Sequence, residues 1–568
     1  MTDMRRTLLW GVFLVSLFLL FEAWNTQNGR PSLLHPQVAK PAASAPAAAA
    51  SGTAATAVTS AASGVAVGSA PAVASEKVEI TTDVVKATLD SNRASLVHLE
   101  LLKHREQHQE EWYEPLLKLI GRGAAEPPAT NVVLFDKNGL RTYVAESGVM
   151  SIPETVGAMT IVPGERSLKE GANELSISFE SPEHNGLKLV KTYVFHRGQY
   201  TIDVKHELRN VGTTPLPAQQ IYLQLRRDGV ASGGGTAFYS TFTGPAIYTE
   251  ENKFKKLDFK DIDKGPTNVS SDSGWVAMVQ HYFASAWIVQ PKLKRDIWVT
   301  SDAATNPAGP HVYSAAMLVP TAAIAPGSSQ TFNAVLFAGP EEETKLAELA
   351  PGLELVKDYG RLQILAEPLF WLLNQLHKVL GNWGWSIVAL VVLLKIAFYW
   401  LNASAYRSMA KMKAINPKVQ ELRERYKDKP QQMQQEMMRI YREEKVNPLG
   451  GCLPIVVQMP FFISLYWVLL STVEMRGAPW IGWIHDLSLK DPYFILPLLM
   501  TGTSLIQVAL GAKPPDPVQA RMMWFMPLAF SVMFFFFPAG LVLYWLTNNI
   551  LSIAQQYVIN KRMGVLNT

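Results

Sequence analysis

A charge inside an apolar run constrains this chain most. Residues Trp385 to Leu401 read WSIVALVVLLKIAFYWL, and Lys395 is their one charge. The run is long and apolar enough to cross a bilayer as a helix. At a rise of 1.5 Å per residue, Lys395 falls roughly 15 Å past Trp385, in the middle or inner half of the hydrocarbon. An ammonium at that depth costs about 2.5–3.5 kcal/mol, which favours a wet cavity or a partner over lipid. Tyr399, Asn402 and Tyr406 follow at i+4, i+7 and i+11, a polar stripe toward the end of the same helix. The alternative is snorkelling, in which the ammonium reaches the nearer interface and does nothing else. The run alone leaves both open.

The rest of the sequence divides around it. An apolar stretch, Leu8 to Phe21, follows the basic start MTDMRR. Phe21, Glu22 and Trp24 stand where small cleavage-site residues would be, so residues 1–24 are expected to stay as an anchor. Arg5 and Arg6 put the N-terminus in the cytoplasm. Residues 25–77 are mostly Ala, Pro, Ser, Gly and Thr, a flexible tether that cannot bury a core. With one cysteine, Cys452, the chain can form no internal disulfide and no metal site built on cysteine pairs. The net charge of +4 says little about partners.

From 78 to 340 the pattern is that of strands. Leu189 to Asn210 reads as a hairpin turning at Arg197-Gly198, with Tyr193 and Phe195 alternating on one arm and Tyr200, Ile202 and Val204 on the other. Further strands are expected at 174–180, 275–289 and 330–338, giving a large antiparallel β-sandwich outside the cytoplasm. Its histidines (His196, His206, His281, His311) show no metal-ligand spacing, and its carboxylates form no pair that marks catalysis.

Residues 341–383 read as a helical connector and an amphipathic helix in the outer interface. Its apolar face carries Leu369, Leu372, Leu373, Leu376 and Leu380. Residues 384–560 then offer about five spans. Between the first two lies a basic hairpin, 402–448. One helix is expected to start at Asn416-Pro417 and the other at Pro430, with a methionine-rich seam. Its excess of Lys and Arg, including Lys411, Lys413, Arg423 and Arg425, places it in the cytoplasm. Polar groups recur at membrane depth in later spans: Gln458, then Thr503 and Gln507, then Tyr544, Asn548, Ser552 and Gln555. No Asp or Glu accompanies them, so a carboxylate proton relay is absent. There is also no phosphate-binding glycine loop and no nucleophile–base pair. Such a groove suits hosting a polar segment rather than altering it, which is the physics of an insertase without a cofactor.

The segments VNPLGGCLPIVVQMPFFISLYWVL, WIHDLSLKDPYFILP, FMPLAFSVMFFFFPAGLVLYWLTNNILSIAQQ and GNWGWSIVAL resemble the YidC/Oxa/Alb insertase family, and the layout resembles its Gram-negative members. The resemblance implies an α+β membrane protein of the bacterial inner membrane. It would have an N-terminal transmembrane anchor, a periplasmic antiparallel β-supersandwich, and a five-span helical core with a cytoplasmic helical hairpin. Both termini would be cytoplasmic. It implies insertion of nascent membrane proteins into the phospholipid bilayer, alone or beside the SecYEG and SecDF translocon components, without nucleotide hydrolysis. The family's groove charge is usually arginine, so Lys395 keeps the charge and loses the bidentate fork. Gln458 and Asn549 match polar groove positions, and Trp545 stands where a tyrosine is frequent, in a region the resemblance implies contacts substrate; Tyr399 and Tyr544 join the expected groove by their places on the polar stripes. The hairpin matches a region that implies contact with the ribosome or the signal-recognition targeting machinery, with no sequence-specific nucleic-acid binding. Two rival readings remain at this point. A small-solute transporter with a periplasmic carbohydrate-binding domain would show internal repeats, and the spans show none. An anchored sugar enzyme would need a convergent catalytic cluster in 78–340.

Overall fold

The computed structural model describes residues 75–107, 130–138, 141–153, 156–230, 241–303, 311–426, 429–444, 453–511 and 517–564. The expected anchor, nearly all of the tether and Cys452 lie outside the described residues.

Between Lys77 and Pro340 the described residues form two nine-stranded sheets packed face to face. Every ladder between named strands is antiparallel. Alternation of side chains explains which face turns inward. Strand Leu187–His196 pairs with Thr201–Asn210 across the Arg197-Gly198 turn, where Gly198 takes a positive φ of 72°. Tyr193, Phe195, Ile202 and Val204 all enter the core between the sheets. The stretch 275–289 differs from expectation. It is two strands, Trp275–Gln280 and Phe283–Ile288, joined at His281-Tyr282. No Gly, Pro, Asn or Asp marks that turn; Tyr282 itself adopts φ 70°. Both arms are buried on nearly every residue, so no alternation betrays the reversal.

A connector with the short helix Glu343–Leu349 leads to helix α1, Gln363–Leu380. Leu369 and Leu373 are buried and Leu372 and Leu376 half-buried, while the opposite side exposes Ile364, Trp371 and Val379. Leu380, expected on the buried face, is exposed as well. Gly381 ends α1 with φ 66°, and the Asn382 side chain caps helix α2, Trp383–Ala397, by accepting from the Trp385 N–H.

The expected straight span through Leu401 is broken. Helix α2 ends at Phe398, and α3, Tyr399–Arg425, leaves at 69°. The stripe Tyr399, Asn402, Tyr406 therefore turns away with α3 instead of running straight on from Lys395, although Asn402 and Tyr406 still meet its neighbours Gln458 and Ser552. Helix α3 also runs through Pro417, where a new helix was expected to start. Ile415 and Val419 on either side are buried, and packing of that face outweighs one lost hydrogen bond. Helix α4, Pro430–Glu443, begins with proline in its first turn as expected, and Lys418 ties α3 to the end of α4 at Glu444 by 2.6 Å.

The remaining helices are α5 (Leu453–Ser471), α6 (Ile495–Leu510), α7 (Pro517–Phe534) and α8 (Ala539–Arg562). Among the described residues no single helix is long and apolar enough to cross a membrane by itself; the bent pair α2–α3 is, taken together. Shorter apolar helices lie at Val456–Ser471, Ile495–Leu510 and Ala520–Phe534.

The β-domain rests on the end of α5 and the loop between α5 and α6. Arg476 donates to the Arg105 carbonyl at 2.7 Å and lies over the Tyr282 and Phe283 rings. Gln107 donates to Asp486 at 2.9 Å, and His281 meets the Leu470 carbonyl at 3.2 Å. Burial pushes His281 down to about 4, which keeps it neutral at this junction. The start of α8 sits at the same end, with the Ala539 N–H donating to the Leu489 carbonyl. The Arg562 end of α8 is therefore remote from the β-domain.

Candidate functional site

Three helices meet at Lys395. Helix α2 carries the lysine, α5 carries Gln458, and α8 presents Tyr544, Asn548 and Ser552 at i, i+4 and i+8, one face of a helix. The Lys395 Nζ donates to the Ser552 Oγ at 2.7 Å, and that hydroxyl donates to the Asn548 carbonyl one turn back, also at 2.7 Å. The serine proton is thus spent on its own helix, and its lone pairs face the lysine. Tyr406 reaches the same hydroxyl.

Beside the ammonium lies a cavity of about 30 Å³, room for on the order of two waters. Its lining is half polar, from Lys395, Gln458, Tyr544 and Asn548, and half apolar, from Val391, Leu394, Phe398 and Phe461. An ammonium has three N–H donors. Among the described residues Ser552 takes one, and no carboxylate lies within 4 Å. The other two are left for whatever enters the cavity. Gln458 donates to the Asn402 side-chain oxygen at 3.0 Å, while the buried Asn402 amide nitrogen has no partner. That unspent donor lies behind Gln458, outside the cavity lining.

Two further expected residues lie near. Tyr399 is half-exposed just past the bend, and Gln555 donates to its carbonyl at 3.3 Å. Others are elsewhere. Asn549 donates to Ser504 at 2.9 Å and to Thr503 at 3.4 Å, at the contact of α8 with α6. Gln507, half-buried on α6, takes no part in the cavity lining. Trp545 packs between Phe462 and Phe534, with ring centroids at 4.6 and 4.9 Å. In the hairpin Lys411 is exposed, Lys413 half-buried, and Arg425 pairs with Glu421 at 3.4 Å; the Arg423 side chain lies outside the described residues. The apolar half of the cavity escaped sequence reasoning. Its one signal is spacing: Phe461 stands one turn past Gln458, and Val391 one turn before Lys395.

With the geometry in hand, the comparisons decide the family. Residues 77–372 match the family described as the YidC periplasmic domain, and residues 375–565 match the 60Kd inner membrane protein family. The Membrane protein insertase YidC of Cupriavidus necator is 50% identical over 99% of this chain and 98% of its own length. That of Ralstonia nicotianae is also 50% identical, with the same coverage. The chain belongs to the YidC family of membrane protein insertases. A crystal structure described as an active YidC insertase with its first transmembrane domain resolved is similar at 17% identity, covering 86% of this chain and 93% of that one, with a TM-score of 0.38.

For a YidC-family chain the setting of the site is then clear in outline. The β-rich half is periplasmic and the helical half belongs to the inner membrane. Its relatives are named as insertases, which answers both the transporter and the sugar-enzyme readings.

Proposed function

We propose that the Lys395 cavity is the charged entry of a path by which polar parts of nascent membrane proteins pass into the bilayer. The observation that carries this is the under-coordinated ammonium: among the described residues it has one protein acceptor, no carboxylate within 4 Å, and a cavity for its remaining donors. An acidic residue in a passing segment would be drawn to that charge in a medium of lowered dielectric, where attraction exceeds its value in water. Gln458, Tyr544 and Asn548 offer neutral hydrogen bonds beside it. The exposed apolar faces of α2 and α5, such as Ile396 and Val456, offer a greasy flank for the rest of the segment. No bond is made or broken, so no nucleophile and no cofactor is needed.

Orientation follows in the same reading. The periplasmic β-domain docks at the Ala539 end of α8, so the opposite end and the basic α3–α4 hairpin face the cytoplasm. There the hairpin would meet the ribosome or targeting factors, while insertion would proceed alone or beside Sec components. The anchor over 1–24, the tether over 25–77, the periplasmic domain over 78–340, the connector over 341–383 and the core over 384–560 complete the proposed layout.

The test is depletion of the native protein in cells carrying insertion reporters. Two short single-span substrates are compared, one with acidic residues in its translocated tail and one neutral. The chain with Lys395→Ala is expected to support the neutral reporter and to lose much of the acidic one, while Lys395→Arg supports both. Equal loss of both reporters would defeat the attraction mechanism.

A further inference from the structure

A second cavity lies just past the bend, between the first turns of α3 and the last turns of α8. It measures about 330 Å³, many times the space beside Lys395 and in the range of small-molecule sites. Helix α3 contributes Tyr399 and Arg407, and α8 contributes Gln555, Val558, Arg562 and Met563. Among the described residues neither Arg407 nor Arg562 has a carboxylate within 4 Å, although the chain pairs many of its other cations. The two arginines are exposed and line one cavity from α3 and from α8, where one bound anion would meet both charges. Their planar forks match phosphate oxygens two at a time. The carbonyl end of α8 opposes an anion with only a fraction of a charge, less than two whole guanidiniums supply.

The rest of the lining is apolar, and it is continuous with apolar surface. Val558 and Met563 are partly exposed within the cavity wall. Ile550 and Tyr557, at i and i+7 on α8, extend an exposed greasy stripe from the cavity toward the Ala539 end. Trp400, beside Tyr399, is 77% exposed. A free phosphate would use the arginines and leave this stripe without purpose. An amphiphile would use both.

We infer that the Arg407–Arg562 cavity is a binding site for an anionic phospholipid, whose phosphate sits between the two guanidiniums while its acyl chains lie along the Tyr557–Ile550 stripe. The site lies on the far side of Tyr399 from Lys395. A lipid there would wall the path past the α2–α3 bend without occupying the cavity beside Lys395.

The test is native mass spectrometry of the full chain in detergent, with added phosphatidylglycerol or phosphatidylcholine of matched acyl chains. The expected result is a phosphatidylglycerol adduct that exceeds the phosphatidylcholine adduct and falls at least fivefold in R407A/R562A. Inorganic phosphate at 10 mM, as an assay condition of about that order, should leave the adduct in place. Should the double alanine variant not fold, R407K/R562K and V558W decide. The first keeps charge and loses the forks, and is expected to lose about half the adduct or more. The second fills the cavity with both arginines intact, and is expected to lose as much as the double alanine variant. Equal adducts of the two lipids, an undiminished adduct in these variants, or displacement by inorganic phosphate would each overturn the proposal; the last would leave a small-anion site.

Discussion

Lys191 and Lys395 are both withdrawn from bulk water, the first wholly and the second in part, and they are finished differently. Lys191 lies between the two sheets, fully buried, and donates to the carbonyls of Arg93, Ala94 and Ser147 at 3.2, 2.9 and 3.0 Å. Its three donors have three acceptors, and the Tyr193 ring lies 5.0 Å away. Burial pushes its pKa down to about 7, but its hydrogen bonds are complete. Lys395 in the helical half has one acceptor and a cavity. The difference separates a cation that holds a fold together from one left open to a visitor. Position in the sequence does not make this distinction, since both sit in apolar surroundings. The count of satisfied donors does.

That contrast sets the expected effects of substitution. The largest belongs to Lys191→Met, which takes the ammonium from the Arg93 and Ser147 carbonyls and leaves the Ala94 carbonyl with the Tyr193 hydroxyl alone. At about 1–3 kcal/mol for each unsatisfied group, the loss should be roughly 2 kcal/mol or more. Hydrogen-exchange protection of Leu187–His196 in the full chain would measure it. Lys395→Met should cost less than about 1 kcal/mol in the helical half, because it removes a charge whose donors were not satisfied. Similar losses at both sites would erase the comparison.

Acid should act on the saturated site next. His206 is fully buried, meets the Ser147 hydroxyl at 2.9 Å, and is pushed down to about 3 by burial, with Lys191 adding to the effect. A folded pKa below the unfolded value of about 6.5 means that the unfolded chain binds the proton first. The contribution of a neutral His206 is complete above that value. It is lost as pH falls toward 3, at up to about 1.4 kcal/mol per pH unit. A pH series of exchange protection in Thr201–Asn210 should show this slope, and His206→Gln should flatten it.

Insertion comes third. Lys395→Met should lower insertion of an acidic-tailed segment by on the order of tenfold, which corresponds to about 1.4 kcal/mol of lost attraction. Insertion yields in vesicles with paired acidic and neutral tails check it. The smallest effect belongs to Ser552→Ala. Removing the one protein acceptor should cost about 0.5–1 kcal/mol of helix packing and leave the preference for acidic tails intact. A loss of preference equal to that of Lys395→Met would move the decisive role from the ammonium to the hydroxyl.

Much of this arrangement was legible in the residues, for definite reasons. The hairpin at Leu187–Asn210 shows because one of its faces is core and the other is not. The charge at Lys395 shows because nothing around it is polar. Tyr544, Asn548 and Ser552 show as a stripe because helical spacing places them together. Spacing does not say which neighbour a face meets, however. Asn549, one residue on, turns to Ser504 and Thr503 instead of the cavity. The bend at Phe398 has no proline or glycine to announce it, and Pro417, which announces a break, is carried through by the burial of Ile415 and Val419. The reversal at Tyr282 is silent because both its arms are buried.

The central claim is that an incompletely coordinated positive charge selects the segments that pass. Reversing it tests this most directly: Lys395→Glu, assayed for insertion of one single-span segment with an acidic or a basic translocated tail. The account predicts an exchange of preference, with the acidic tail failing and the basic tail gaining. If both tails fall together, or keep their wild-type order, the charge at that position does not do the selecting.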